Sequence, residues 1–231
     1  MRKFCTILLA ASITITSGAY AQAGILDGYR DLLKAVEKAA APEMITSGDY
    51  EYYVDEETAV IANYFGDEES LVIPDEIDGY QVTGIGEGAF SYLEMKSVSV
   101  PESIRSIGKN AFEYCTISDQ LILPDNITIG EDAFSYTAFS STVVIPAGAT
   151  VEKCSFSYCE GLQQVEIGAG AVIRSRAFGY CDELEQVVCA DNAVVEEDAF
   201  EYCPNLEEPV SGGEAQTEDG DPSSEELVTG E

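Results

Sequence analysis

Residues 107–115 read Ile-Gly-Lys-Asn-Ala-Phe-Glu-Tyr-Cys, and the pattern of this segment returns every 22 residues along the chain. The repeated phenylalanines are Phe90, Phe112, Phe134, Phe156, Phe178 and Phe200. Two positions after them stand Tyr92, Tyr114, Tyr136, Tyr158, Tyr180 and Tyr202. Five positions before them stand the β-branched residues Ile85, Ile107, Ile129, Val151, Ile173 and Val195. A small residue, Ala or in one copy Ser155, precedes each phenylalanine. Because a fixed period of this length is the signature of stacked repeats, we predict a solenoid of about six coils.

A second apolar stretch of strand character lies between these columns. It reads Val98-Ser-Val100, Leu121-Ile-Leu123, Val143-Val-Ile145, Val165-Glu-Ile167 and Val187-Val-Cys189 in successive repeats. The alternation predicts that the outer two residues of each triplet face the core and the middle one faces solvent. The Pro or Gly that follows most triplets ends the strand and turns the chain. In two repeats, beginning at Leu162 and Leu184, the spacing is that of the leucine-rich-repeat pattern L-x-x-L-x-L.

The combination Ile-Gly-x-x-Ala-Phe, then Tyr-Cys, then a Val-x-Ile-Pro strand resembles the BspA-like class of bacterial leucine-rich repeats. The segment 71–90 resembles the entry repeat of such proteins, and the resemblance covers about residues 49–206. It implies a β-rich, right-handed solenoid in a secreted or cell-surface protein, with relatives that bind host matrix proteins or other bacteria. It implies no catalytic residues, because the family has no conserved active site. The departures are Ser155 in place of Ala, Leu93 and Thr137 in place of Cys, and a last repeat without a strand.

The N-terminus resembles an export signal. Arg2 and Lys3 precede an apolar run from Phe4 to Thr16, and small-x-small sites end at Ala21 and Ala23. A run of roughly 13 apolar residues is too short to span a bilayer of about 30 Å. We therefore predict a signal peptide over residues 1–23, cleaved after Ala21 or Ala23, and no membrane insertion of the mature chain.

Three further segments complete the predicted organisation. Residues 24–48 have apolar positions at helical spacing before Pro42, which predicts an amphipathic cap helix or, alternatively, a mobile helix that contacts a partner. The predicted solenoid covers residues 49–206. In its first part, residues 49–70, apolar and polar residues alternate on both sides of an acidic turn, which predicts a β-hairpin cap. The repeats follow in residues 71–206. Residues 207–231 carry nine acids and no bases, which predicts a disordered acidic tail rather than a calcium-collecting segment.

Composition excludes several classes of function. The formal net charge of −32 argues against nucleic acid and anionic membranes as partners, because both attract Lys and Arg. The chain has no histidine, which removes the usual general base and the commonest metal ligand. Paired carboxylates such as Asp182-Glu183 fall on predicted turns and are typical of a solvated face. We therefore predict neither an enzyme nor a cofactor.

Four of the six cysteines that follow the signal share one repeat position, three after the phenylalanine: Cys115, Cys159, Cys181 and Cys203. Neighbouring coils bring these thiols close enough for disulfides in an oxidising compartment. A buried ladder of free thiols is the favoured interpretation, since Cys packs as a small hydrophobe. Disulfides remain an alternative, and a metal site is disfavoured because Cys154 and Cys159 lack the C-x-x-C spacing.

Two surfaces are candidates for binding. The first is the Tyr ridge, formed by Tyr92, Tyr114, Tyr136, Tyr158, Tyr180 and Tyr202. Stacking predicts either a ladder that packs against itself or a contact surface for protein or glycan, in which Tyr is enriched.

The second candidate is the strand face, the outward columns of the predicted strands. Its candidate binding residues are Gln120, Ile122, Thr142, Val144, Gln164, Glu166, Gln186 and Val188, and Ser97 and Ser99 extend the two columns. A face with one charge and three aliphatic residues, in a chain of charge −32, favours a docking surface. The alternative is an internal sheet face that tolerates β-branched residues.

The sequence therefore favours a secreted or cell-surface leucine-rich repeat protein that binds a protein or glycan through the strand face, with the Tyr ridge as a second surface. The competing hypothesis is a non-binding structural spacer of the cell envelope.

Overall fold

The computed structural model describes residues 42–206, and within this range the regular structure consists of strands alone. The strands are β1 (Ile45–Ser47), β2 (Tyr50–Asp55), β3 (Thr58–Tyr64), β4 (Ser70–Val72), β5 (Glu76–Ile77), β6 (Tyr80–Ile85), β7 (Glu94–Ser99), β8 (Ser106–Ile107), β9 (Thr116–Ile122), β10 (Thr128–Ile129), β11 (Ala138–Phe139), β12 (Thr142–Ile145), β13 (Thr150–Val151), β14 (Gln164–Ile167), β15 (Val172–Ile173), β16 (Gln186–Cys189) and β17 (Val194–Val195). The predicted signal peptide, helix and acidic tail lie outside the described residues, apart from the end of the 24–48 segment.

The β-branched column builds one sheet in the order β1-β2-β3-β6-β8-β10-β13-β15-β17, with β5 paired to β6. From β6 onward every neighbour along this order is parallel and shifted by 22 residues, so that Ile85 pairs with Ile107 and Ile107 with Ile129. The ladder continues through Val151 and Ile173 to Val195 at the same spacing. One coil thus corresponds to one strand spacing of about 4.8 Å, which confirms the predicted solenoid.

The phenylalanines form the centre of the core. Neighbouring rings in the column from Phe90 to Phe200 lie 4.8–5.2 Å apart between centroids, with interplanar angles of 1–8°. The five rings from Phe90 to Phe178 are at most 1% exposed, whereas Phe200, in the last coil, is only partly buried. The adjacent Ala residues and Ser155 are buried as well. These positions hold small residues because a larger side chain there would displace the rings. Tyr64 extends the column into the N-terminal hairpin, 5.3 Å from Phe90.

The apolar triplets alternate as predicted. Val143 and Ile145 are buried while Val144 is 50% exposed, and Val165 and Ile167 enclose the exposed Glu166 in the same way. Because successive side chains of a strand point to opposite faces, the outer residues of each triplet pack on the Phe column.

The outward strand face differs from the prediction in one respect, since two sheets form it instead of one. Strands β4, β7 and β9 pair in one sheet, and β12, β14 and β16 pair in another. Strand β11 is the fourth strand of the first sheet and pairs with β9 at Thr116 and Ile117, and no ladder among the described residues joins β9 to β12. The cause is a bend at Ser140 and Ser141, which divides the strand of that coil into β11 and β12.

The hairpin predicted within residues 49–70 is present as β2 and β3, which pair antiparallel around the turn at Glu56. The helix predicted before Pro42 lies outside the described residues, and the end of the 24–48 segment is a strand, because Ile45–Ser47 form β1 and pair with β2. Gly48, at a φ of 57°, allows the chain to reverse after β1, so these last residues extend the sheet. Asp78 holds this cap on the array by accepting hydrogen bonds from Tyr52 Oη (3.0 Å) and Ser47 Oγ (2.9 Å).

The cysteine column has a structural role that its spacing alone did not predict. All described cysteines are free thiols, which agrees with the favoured thiol ladder. Each thiol of the column donates to the carbonyl oxygen of the phenylalanine of the preceding coil, at 3.0–3.3 Å, for Cys115, Cys159, Cys181 and Cys203. Thr137 Oγ1 makes the same bond to Phe112 O at 2.7 Å, so Thr is an equivalent donor here. Burial raises the pKa of the Cys115 thiol to about 11, which keeps it protonated as a donor at neutral pH.

No helix among residues 42–206 has the length and apolar character to cross a membrane.

The Thr137 bond gives a stability prediction. Thr137→Val should lower the free energy of unfolding by about 1–3 kcal/mol, because it leaves the buried Phe112 carbonyl without its side-chain donor. Thr137→Cys should cost clearly less, because neighbouring coils already use Cys at this position. Urea unfolding followed by circular dichroism measures both; equal losses for Val and Cys would contradict the bonding role of the column.

Candidate functional site

The Tyr ridge is a continuous stack on the surface. Neighbouring ring centroids lie 4.5–5.2 Å apart, with interplanar angles of 4–19°. Tyr92 is 70% exposed and Tyr202 56%, while Tyr114, Tyr136 and Tyr158 are 40–45% exposed. Because each inner ring has a neighbour on both faces, the inner rings present their edges and hydroxyls to solvent rather than their π faces.

All six ridge tyrosines adopt the left-handed backbone conformation, with φ between 56° and 64°. This conformation costs an L-residue with a Cβ about 1–2 kcal/mol, and Gly, Asn and Asp tolerate it best. The residue four positions before each of the first five ridge tyrosines also has a left-handed backbone conformation. In the first three coils it is Gly88, Asn110 or Asp132, in agreement with that preference. Tyrosine at every ridge position is therefore costly for the backbone, and the stacking of neighbouring rings offsets this cost. The sequence pattern gave no sign of this strain.

The turn that carries the ridge is rigidly held. The N–H groups of the first five ridge tyrosines donate to carbonyl oxygens of the next coil at 2.9–3.1 Å. The thiol and hydroxyl bonds of Cys115, Thr137, Cys159, Cys181 and Cys203 fix the adjacent residue. Partial burial is the largest cause that raises the pKa of Tyr114 and Tyr158, and the charges of the neighbouring tyrosines are the next. The adjacent carboxylate of Glu201 raises the pKa of Tyr202. The ridge is therefore a preorganised row of phenol side chains.

The strand face presents its predicted residues outward. Val144, Glu166 and Val188 are paired neighbours in one column, and Thr142, Gln164 and Gln186 in the other. Ile122 and Gln120 pair with Ser99 and Ser97 in the separate sheet of β4, β7 and β9. The aliphatic members are 45–50% exposed. The structure therefore brings the predicted residues together in two groups, and their role in binding stays a prediction.

The sequence analysis missed Val72 as a member of this face. It pairs with Ser99 in β7 and is 67% exposed, more than any other aliphatic residue of the strand face. Its signal was present, because Leu71-Val72-Ile73-Pro74 has the same triplet pattern followed by Pro.

Carboxylates border the strand face where the strands end. Asp75, Glu102 and Asp125 each follow the proline that closes a strand, Asp191 follows β16, and all four are exposed. Asp75 accepts a hydrogen bond from Ser103 Oγ, and Asp125 accepts one from the N–H of Ala147, both at 3.1 Å. The face thus combines exposed aliphatic side chains with an acidic border.

A stripe of paired charges lies on the turns between the β-branched and Phe columns. Lys109 contacts Glu131 at 3.1 Å, Arg174 contacts Glu196 at 3.3 Å, and Arg176 Nε contacts Glu201 at 2.6 Å. These pairs are solvent-exposed, so each contributes little to stability. Their effect is to alternate the sign of charge between coils and to avoid the repulsion of like charges stacked in register. No cluster of His, Cys, Asp and Glu within the described part of the chain is arranged to hold a metal ion.

Comparison with known proteins places these repeats in a family. The family model described as "BspA type Leucine rich repeat region" matches residues 83–207 in six copies. No protein of curated function matches the chain in sequence. Three similar crystal structures are a leucine-rich repeat protein of T. pallidum, a leucine rich cell surface protein of Faecalibacterium prausnitzii A2-165 and a leucine-rich repeat protein of Bacteroides capillosus ATCC 29799.

The three structures are similar at a low level of identity. The T. pallidum protein is 22% identical, with a TM-score of 0.47 over 66% of this chain and 86% of its own. The F. prausnitzii protein is 22% identical, with a TM-score of 0.44 over 73% of this chain and 54% of its own. The B. capillosus protein is 21% identical, with a TM-score of 0.40 over 64% of this chain and 98% of its own.

The backbone strain of the ridge predicts how a substitution should behave. Tyr136→Asn removes two ring pairs worth about 0.5–1.5 kcal/mol each and relieves about 1–2 kcal/mol of left-handed strain, so the two effects should nearly cancel. We expect the free energy of unfolding to change by less than about 1 kcal/mol in a urea titration. A loss well above about 2 kcal/mol would instead make the ridge a structural ladder that the fold needs.

Proposed function

Because the chain belongs to the BspA-type leucine-rich repeat family, we propose that it is an exported repeat protein that binds a protein ligand through the strand face. The observation that carries the proposal is the exposure of Val72, Ile122, Val144 and Val188 on the outward side of strands β4, β9, β12 and β16, in a chain of net charge −32. Exposed aliphatic side chains with a polar rim are characteristic of protein-interaction sites.

The border of the face specifies the chemistry of the partner. Exposed Asp75, Glu102, Asp125 and Asp191 surround one side of the aliphatic column, and Glu166 lies within it. A partner with an apolar patch flanked by Lys and Arg would bury the aliphatic side chains while its basic side chains approach the carboxylates. The large negative charge of the chain would accelerate the encounter with such a partner and repel acidic ones.

An exported location is part of this proposal. The predicted signal peptide over residues 1–23 supports it, and the F. prausnitzii protein that resembles this fold is described as a cell surface protein. A role in adhesion to host material or to other cells follows from that location. We propose no enzymatic activity, since the chain lacks histidine and its carboxylates lie dispersed on turns.

A double substitution tests the strand face directly. Ile122→Glu together with Val144→Glu places charges on exposed positions of both sheets, so the fold should persist while binding is lost. The matched control is Ser106→Glu together with Thr150→Glu, which adds the same charges at two strand positions of the other sheet that are not paired with each other. Binding to a panel of purified host matrix proteins is measured by biolayer interferometry.

We expect the wild type and the control to bind at least one basic-rimmed protein of the panel, with affinity that falls as salt is raised from 50 to 500 mM. The strand-face double variant should lose at least about tenfold, because it buries unpaired charges in the interface. Equal binding by both variants would place the site elsewhere. Absence of any bound protein, for wild type as well, would favour the structural spacer.

A further inference from the structure

The Tyr ridge is a second recognition surface, distinct from the strand face, and we infer that it binds an extended, uncharged β-1,4-linked glycan along its length, with about one sugar unit on each coil. The inference rests on the geometry of the ridge and does not depend on the proposed function of the strand face.

The ridge presents chemical groups that suit a sugar. Its inner rings cover one another's faces at centroid distances of 4.5–5.2 Å, so the ligand meets ring edges and hydroxyls. None of the six hydroxyls is buried without a partner. Within residues 42–206 those of Tyr114 and Tyr136 make no hydrogen bond to a carboxylate or a backbone group, whereas that of Tyr202 bonds Glu201 and that of Tyr158 bonds Tyr180. A phenolic hydroxyl both donates and accepts hydrogen bonds, which suits the hydroxyls of a sugar.

The ridge is periodic. It repeats its rings six times, with centroids 4.5–5.2 Å apart, and the backbone hydrogen bonds between coils fix that spacing. Only a partner with a similar repeat can satisfy all positions at once. In an extended glycan with equatorial linkages each sugar advances the chain by nearly one strand spacing of about 4.8 Å, so successive units reach successive tyrosines.

The ridge is narrow. It is one residue wide and is bordered by Glu113, Glu201 and the stripe of paired charges on the turns. A single linear chain can follow such a ridge. A cross-β fibril has a similar repeat distance along its axis, but it presents a flat sheet that needs a flat partner. The net charge of −32 repels polyanions, which favours an uncharged polysaccharide over an acidic one.

The N-terminal end of the ridge supplies a stacking platform. Two residues after Tyr64, at the place where the preceding coil would carry its ridge tyrosine, the chain has Gly66. A Cβ at Gly66 would collide with the Tyr64 ring, so that coil cannot carry a ridge side chain in this conformation. Tyr92 therefore stacks on Tyr114 alone and is 70% exposed, which leaves one ring face for the apolar face of a terminal sugar.

Isothermal titration calorimetry with cello- and chito-oligosaccharides of two to eight units tests this inference. The ridge variant is Tyr114→Phe with Tyr136→Phe, which keeps the rings, their stacking and the backbone conformation but removes two hydroxyls. The matched control is Tyr53→Phe with Tyr80→Phe, which removes two hydroxyls outside the ridge.

We expect the affinity to rise with chain length and to level off near six units. The ridge variant should bind the hexamer roughly 10- to 100-fold more weakly than the wild type, at about 3- to 10-fold for each hydroxyl. The control variant and the Ile122→Glu, Val144→Glu variant should both retain wild-type affinity for the hexamer.

Three results would overturn the inference: no heat of binding with either hexamer, equal affinity for dimer and hexamer, or equal losses in the ridge and control variants. Capture of preformed cross-β fibrils through the ridge tyrosines, with no response to either sugar series, would assign the ridge to a protein partner and overturn it as well.

Discussion

The stacking of one phenylalanine on the next, once per coil, is the constraint on which the rest of the structure depends. Rings 4.8–5.2 Å apart require that each coil advance by one strand spacing, and the constant 22-residue period provides that advance. A single coil cannot bury its own Phe and Ile, so neighbouring coils supply the burial for each other. Every other column, whether Tyr, Cys, β-branched or charged, inherits its spacing from this core.

In-register stacking also creates the two candidate surfaces, because it places like residues beside like residues. In the charged columns this would be unfavourable, and the alternation of Lys109, Glu131 and Lys153 reduces the repulsion. In the Tyr column it produces a ladder at the cost of left-handed backbone in six turns. On the strand face it concentrates aliphatic side chains around Val144 in an otherwise acidic molecule. The two surfaces differ in chemistry, one apolar with an acidic border and the other a row of hydroxyls, which is why we assign them different partners.

Most of the fold could be predicted from the sequence, because each column repeats six times and the repetition distinguishes core from surface. The inward and outward positions around Val143 and Val144 followed from strand alternation alone. What the sequence could not provide depended on local conformation. The bend at Ser140 and Ser141, which divides the strand face, has no signal beyond two serines, and the strand at Ile45–Ser47 is stabilised by pairing with β2. The left-handed backbone conformation of the ridge could not be predicted from the sequence, because Gly, Asn and Asp are the residues typical of it and Tyr is not. Thr137 looked like a departure from the Cys column until its bond to Phe112 O showed that Thr supplies the same donor as Cys.

The coupled Phe core is tested most directly by comparing Phe134→Ala with Phe200→Ala in urea unfolding. Phe134 is fully buried between Phe112 and Phe156, so its truncation should cost about 3–5 kcal/mol. Phe200 stacks on Phe178 alone and is only partly buried, so its truncation should cost clearly less. Equal losses at the two positions would contradict a solenoid whose stability comes from rings packed between neighbouring coils.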